Sequence, residues 1–270
     1  MKKGMTGAGK LSSELLAVAL MAIFSSSVIA QSSTGPNTVY IEQVGSSNTV
    51  TIEQVGGTNS VGGTAGTATV AGTGLTTLVP TAASSSNYGT ITGSSNNLTI
   101  TQTGDANSSQ YNIKGSNNVY TSSITGSNNQ TKLNIGDQNS ASNLRNTVTE
   151  TVVGNSNLII QQITGSDIVS SVSLTGNGNQ VTNSLLSSTG SLTSTVQGNY
   201  NVFNSQQIDS AGVNGHILVM NTVGDYNSIT TQQQGFNDTT FNVQTTGSHN
   251  TITLRSSSSA ISGPMTAIAR

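Results

Sequence analysis

The sequence predicts an all-β chain: a two-sheet parallel β-solenoid of about 11-residue strand-turn units, about 22 residues to a rung, behind an N-terminal signal peptide. Three observations carry this. A Gly-centred turn recurs at a fixed short spacing, as in Gln43-Val-Gly-Ser-Ser-Asn48, Gln54-Val-Gly-Gly-Thr-Asn59 and Gln102-Thr-Gly-Asp-Ala-Asn107. Between turns the polarity alternates with the period of a strand, whose successive side chains point to opposite faces. Only 7% of residues are charged and 4% aromatic, with 30 Gly and no Cys, so no segment accumulates a globular core. Such a composition alone suggests disorder, but alternation and β-branched residues argue for strands.

The elements follow in order. Lys2, Lys3 and Lys10, the apolar run Leu15 to Phe24, and Val28-Ile29-Ala30 read as a secretory signal peptide over residues 1–30, cleaved after Ala30. The apolar run is too short to span a bilayer, so the mature chain has no expected integral membrane segment. Repeats occupy 31–255, from about Asn37 to about Leu254, with no amphipathic helix or charged cap at either end. Their turn glycines are Gly45, Gly56, Gly93, Gly104, Gly115, Gly126, Gly154, Gly165, Gly176, Gly198, Gly224, Gly235 and Gly247. A Gly-, Thr- and Ala-rich stretch at 62–88 breaks the period and reads as a loop extruded from the stack; shorter irregularities fall at 136–153 and 198–215. Residues 256–270 read as a Ser-rich tail that ends the fold.

Within a unit, the odd positions after the Gly hold Asn48, Val50, Ile52 and Gln54, then Asn96, Leu98, Ile100 and Gln102. The even positions hold Thr49, Thr51 and Glu53, then Asn97, Thr99 and Thr101, so the odd set is the predicted interior. A buried amide without partners costs about 1–3 kcal/mol. Stacking like amides on successive rungs removes that cost, since each donates to one neighbour and accepts from the other. The expected ladder residues are Gln43, Asn48, Gln54, Asn59, Asn96, Gln102, Asn107, Asn118, Asn129, Asn157, Asn179, Asn201, Asn227, Gln233 and Asn250.

The run Gln-x-Gly-x-x-Asn-x-x-x-x-x-Gln, from Gln43 to Gln54, resembles the repeat of curlins, subunits of the curli functional amyloids of Gram-negative bacteria. The likeness extends, with decreasing fidelity, from about residue 37 to about 254. Gln43, Gln54 and Gln102 match the strand-end Gln of that family, and the asparagines above match its turn-adjacent Asn. Ile113, Ile124, Ile163 and Leu174 replace the strand-end Gln in the middle units, so the resemblance is to a divergent member. The resemblance implies a secreted structural subunit that self-assembles into extracellular fibres for biofilm matrix or surface adhesion. It also implies export through the periplasm, an outer-membrane secretion pore and a nucleator subunit.

Other functions find less support. Removal of residues 1–30 leaves five basic and nine acidic residues, a net charge of −4, which offers no basic surface to nucleic acid. His216 and His249 are the two histidines; His249, in Gly-Ser-His-Asn, reads as a solvated turn residue, and no catalytic site is expected. Asp105, Asp137 and Asp225 follow turn glycines without the spacing of a calcium-binding roll and read as gatekeeper charges; no cofactor or metal is expected. The sequons at Asn97, Asn107, Asn129 and Asn237 are what this composition gives by chance. The alternatives are a non-polymerising β-solenoid, or an adhesin or fibre-stalk protein that uses the 62–88 loop. An ice-binding solenoid is suggested by Thr-x-Thr at Thr49, Thr99 and Thr251 but opposed by Gln110, Lys132 and Ile160 at outward positions.

Overall fold

The computed structural model describes residues 26–31, 35–69, 76–81, 88–136, 145–163, 168–184, 190–208, 217–234, 239–255 and 263–269. Within them the chain is a β-solenoid of two parallel sheets and about seven turns, and no helix occurs. The first sheet stacks Ser26–Gln31, Thr49–Val55, Asn97–Thr103, Val119–Thr125, Thr147–Val153, Val169–Thr175, Ser191–Val196, Ile217–Val223, Thr239–Thr246 and Gly263–Ala269. The second runs from Thr38–Val39 and Ile41–Val44 to Thr251–Arg255, including Ser108–Lys114, Gln130–Asn134 and Ser228–Gln234.

Alternation sets the faces as the sequence predicts. Along Thr49–Val55, Val50, Ile52 and Gln54 are buried while Thr49, Thr51 and Glu53 are exposed. Register keeps columns of like residues together: Val50 lies beside Leu98, Leu98 beside Tyr120, and Tyr120 beside Val148. The core is therefore a thin layer of aliphatic and aromatic side chains between the sheets, extending the length of the coil. Each strand that contributes to it supplies one or two members, so no short segment of this chain makes a core alone.

The 62–88 insertion interrupts one second-sheet strand. Ser60–Val61 pairs with Ser108 and Ser109, and Gly89–Thr92 resumes the same strand beside Asn112 to Lys114. The extruded segment is more than a loop, because Thr64–Thr69 and Thr76–Thr81 form an antiparallel hairpin. That hairpin lies against Ser108–Lys114 and Gln130–Asn134, where the outward-facing Gln110 and Lys132 are buried.

Three findings differ from the sequence reading. Ser26–Gln31 pairs in parallel with Thr49–Val55, so a strand crosses the predicted cleavage point after Ala30. The fold also continues past Arg255, since Gly263–Ala269 adds to the first sheet beside Thr239–Thr246. Pro264 is in register with Thr240 there. The corresponding residues of earlier strands, such as Thr49, Val119 and Val169, donate their N–H to the following rung, so the donor that Pro264 lacks falls on the free edge. Finally, Gln110, Lys132 and Ile160 all lie on the second sheet. On the first sheet the outward residues Thr51, Thr99, Thr121, Thr149, Ser171 and Thr193 form an unbroken hydroxyl column, so a regular Thr array does form. Counting along the chain mixes two faces that the coil separates.

Candidate functional site: the asparagine ladders

The connection after each first-sheet strand from Thr49–Val55 to Thr239–Thr246 is a Gly-centred turn with a fixed conformation. Gly126 has φ 118°, Asn128 has φ 59°, and Asn129 then enters the second sheet. The turn requires glycine for space as well as for its dihedral. A Cβ on Gly126 would stand 1.8 Å from the carbonyl oxygen of Gly154 on the next rung. The left-handed position two residues on accepts Thr58, Ala106, Asn128, Ser156, Tyr200, Tyr226 and His249. At the last three the rings stack along the corner, Tyr200 on Tyr226 at 5.1 Å and Tyr226 on His249 at 5.2 Å. His249 is exposed, as a turn residue should be.

Behind this corner the asparagines interlock. The Oδ1 of Asn107 accepts from both the backbone N and the Nδ2 of Asn129, each at 3.0 Å, while Asn107 Nδ2 donates to Gly126 O at 2.7 Å. The same pattern joins Asn59, Asn107, Asn129, Asn157, Asn179, Asn201 and Asn227. Asn250 closes it by donating its backbone N to Asn227 Oδ1 at 3.0 Å. Asn37, which sequence reasoning left out, begins it by accepting from Asn59 N at 2.9 Å. Each side chain thus ties three rungs together, and the buried amides are satisfied as the interior assignment requires.

A second, shorter ladder lies at the opposite corner. Asn48, Asn96 and Asn118 bond in series, and Asn146, also missed, extends them before Ile168 ends the run. The predicted asparagines therefore form two columns, one at each corner. Gly165 and Gly235 lie outside the described residues, as do His216 and Asp137; the other turn glycines named above all have positive φ.

The glutamines divide. Gln54 Nε2 donates to Gln102 Oε1 at 2.8 Å, and Gln102 Nε2 to Ser109 Oγ at 3.1 Å. Gln43 is a correction: its register partner is Ile91, and its buried Oε1 has no partner among the described residues. Gln233 is another, fully buried with neither amide atom bonded there. A glutamine ladder needs glutamine at the same height on adjacent rungs; Gln43 faces Ile91 instead, whereas Gln233 is in register with Gln207 and its amide is unbonded all the same.

Polar groups beyond the ladders include two that the sequence reading placed otherwise. Asp105 Oδ1 accepts from Gly57 N at 2.7 Å, and Asp225 Oδ1 from Asn199 N at 2.6 Å. These carboxylates continue an outer ladder that elsewhere uses Asn155, Asn177 and Asn199, so they are structural acceptors as well as charges. Glu150 is fully buried on Thr147–Val153, where it accepts from Tyr120 Oη at 2.7 Å and from Gln161 Nε2. Burial pushes its carboxyl up to about 7, against the opposing pull of those two bonds. Its parity with Val148 and Val152 marks it as inward in the sequence, but the slipped period at 136–153 hides the signal.

Among the described residues no three His, Cys, Asp or Glu side chains gather where a metal ion would sit, and no helix is long and apolar enough to cross a membrane. No protein-family profile, curated protein or solved structure matches the chain.

Proposed function

We propose that this protein is the secreted structural subunit of a curli-like extracellular fibre, built by stacking copies of the chain along the solenoid axis. The observation that carries the reading is the self-similarity of the rungs. From Asn59 to Asn227 each rung presents the same upward and downward donors and acceptors at its corner, on strands that all pair in parallel. A rung of a second copy is chemically equivalent to the next rung of the same chain. The chemistry is then backbone and amide hydrogen bonding between copies, resistant to denaturant because main-chain and side-chain ladders act together. The leader at 1–30 and the curlin-like run Gln43 to Gln54 support export and family; a secretion pore and a nucleator are the partners that reading requires.

One observation favours a second reading, a stalk or adhesin: the hairpin of Thr64–Thr69 and Thr76–Thr81, which adds nothing to the stack. The test is to purify residues 31–270 under denaturant, dilute, and follow thioflavin T fluorescence with electron microscopy and fibre diffraction. Self-seeding fibrils with a meridional spacing of about 4.7–4.8 Å are expected. A β-rich monomer that never seeds would overturn the fibre and leave the hairpin as the functional element.

A further inference from the structure

The two outer faces of the coil differ in a way that fibre growth does not use. On the first sheet Glu53 is the one charged residue facing outward among the described residues, and it lies near the N-terminal end. The second sheet presents Glu42, Lys114 and Arg255, and it carries the hairpin, which covers Lys132. The first sheet also exposes aliphatic side chains in register. Val119, Val169 and Ile217 share one column on alternate rungs and are 36%, 52% and 41% exposed. A single exposed valine is ordinary, whereas a column of them set between rows of Thr and Ser is an extended sticky surface.

We propose that this face is a lateral docking surface, and that its occupant is the same face of a second copy, so that fibres bundle side by side. The proposal rests on the fibre reading above. Two such faces meet without like-charge repulsion over nearly their whole length. Being identical, they repeat at the same rung spacing, and the Val119, Val169 and Ile217 column recurs every second rung, so an even-rung offset brings the same side chains together, as in the dry interface between paired sheets of a cross-β fibre. From Thr49–Val55 to Ile217–Val223 the face offers roughly 800 Å² per copy from strand length and spacing, the size of a standard specific interface. The opposite face is blocked by the hairpin and by charge.

The test compares fibres of the wild-type chain with the triple variants Thr99→Lys, Thr149→Lys, Thr193→Lys and Thr99→Glu, Thr149→Glu, Thr193→Glu. These sites lie on alternate rungs, so the new charges do not stack directly. The control places Lys on exposed second-sheet positions, Gln130→Lys, Gln180→Lys and Thr253→Lys. Seeded growth should be unchanged in all of them. Electron microscopy should show bundles for the wild type and the control, single fibres for each first-sheet variant alone, and bundles again when the Lys and Glu variants are mixed. Bundles that persist in the first-sheet Lys variant, or that are lost equally in the control, would overturn the proposal. So would wild-type fibres that stay single while slowing ice-crystal growth, which would assign the Thr array to ordered water. Failure of the fibre reading is read separately: a wild-type chain that forms no fibre should still dimerise in analytical ultracentrifugation, with loss in the first-sheet Lys variant, and a monomer there overturns the face.

Discussion

The two corners of the coil are built to different tolerances. After every first-sheet strand from Thr49–Val55 to Thr239–Thr246 the chain makes the same turn, with glycine at 56, 104, 126, 154, 176, 198, 224 and 247. After the second-sheet strands Gly45, Gly93 and Gly115 keep that turn among the described residues; beyond Gln130–Asn134 the connections vary in length, and the Asn column gives way to Ile168 and Gly190. The lesson is that one uniform corner suffices to hold rung register. A parallel in-register stack needs each rung to have a fixed starting point, and the Gly-x-x-Asn turn supplies it once per rung. The other corner is then free to change length, and connections of irregular length collect there, while the 62–88 insertion interrupts a second-sheet strand.

The largest predicted effect tests the uniform corner directly. Gly126→Ala puts a methyl group against Gly154 O at a φ that L-residues rarely adopt, and backbone on both rungs would have to move. The expected outcome is loss of the ordered β signal in circular dichroism and of seeded fibre growth. Seeded growth at the wild-type rate would show that the corner is not rigid and that register is set elsewhere.

Between the corners, Glu150 gives a test of the interior. Its folded-state carboxyl is raised from 4.5 to about 7 by burial, so the folded form binds its proton more tightly than the unfolded chain does. Stability from this group is therefore full below pH 4.5, falls as pH rises towards 7, and is flat above that, a loss on the order of 3 kcal/mol. Denaturant midpoints should be lower at pH 8 than at pH 4, and Glu150→Gln should flatten the dependence, its single carbonyl oxygen keeping one of the two acceptor positions that Tyr120 and Gln161 use. An unchanged pH profile in that variant would place the titration elsewhere.

The ladders themselves sharpen the contrast. Asn129→Ala leaves Gly154 O and Asn157 N without their partners inside the uniform corner, which costs roughly 2–4 kcal/mol. Asn146→Ala at the other corner removes the bond to Asn118 and one long acceptance from Ile168 N at 3.3 Å, which costs about 1 kcal/mol. Urea midpoints of the two variants measure the difference; equal losses would mean that the corners contribute alike.

Much of this was legible in the sequence where the eleven-residue frame is unbroken. Alternation placed Val50, Ile52 and Gln54 inside, and the Gly-x-x-Asn turn picked out most of the long ladder. What could not be read was the sheet to which a unit belongs once a connection of irregular length precedes it. Asn146 and Glu150 sit just past such a slip; Gln110 and Lys132 do not, and they differ from Thr51 and Thr99 because successive units of the unbroken frame alternate between the two sheets. Gln43, which faces Ile91, failed differently. A side chain's inward direction follows from parity, but its bonding depends on what stands one rung away, and that is set by register across 22 or more residues rather than by local pattern.

The smallest predicted effect decides whether the second corner is only a spacer. Inserting Gly-Ser-Gly-Ser between Ala211 and Gly212 lengthens the connection from Ile208 to Ile217 without touching the pairing of Ser191–Val196 with Ile217–Val223. For a connection that acts only as a spacer the added closure cost is about 0.6 kcal/mol per doubling of length, and the denaturant midpoint and seeded growth should hardly move. The same four residues placed between Gly198 and Asn199 would displace Asn201 from Asn179 and Asn199 from Asp225 at once, and the ladder would break at that rung. Equal damage from both insertions would mean that the irregular connections are themselves packed parts of the coil, and that the length variation reflects specific contacts on each rung instead of freedom left over by the uniform turn.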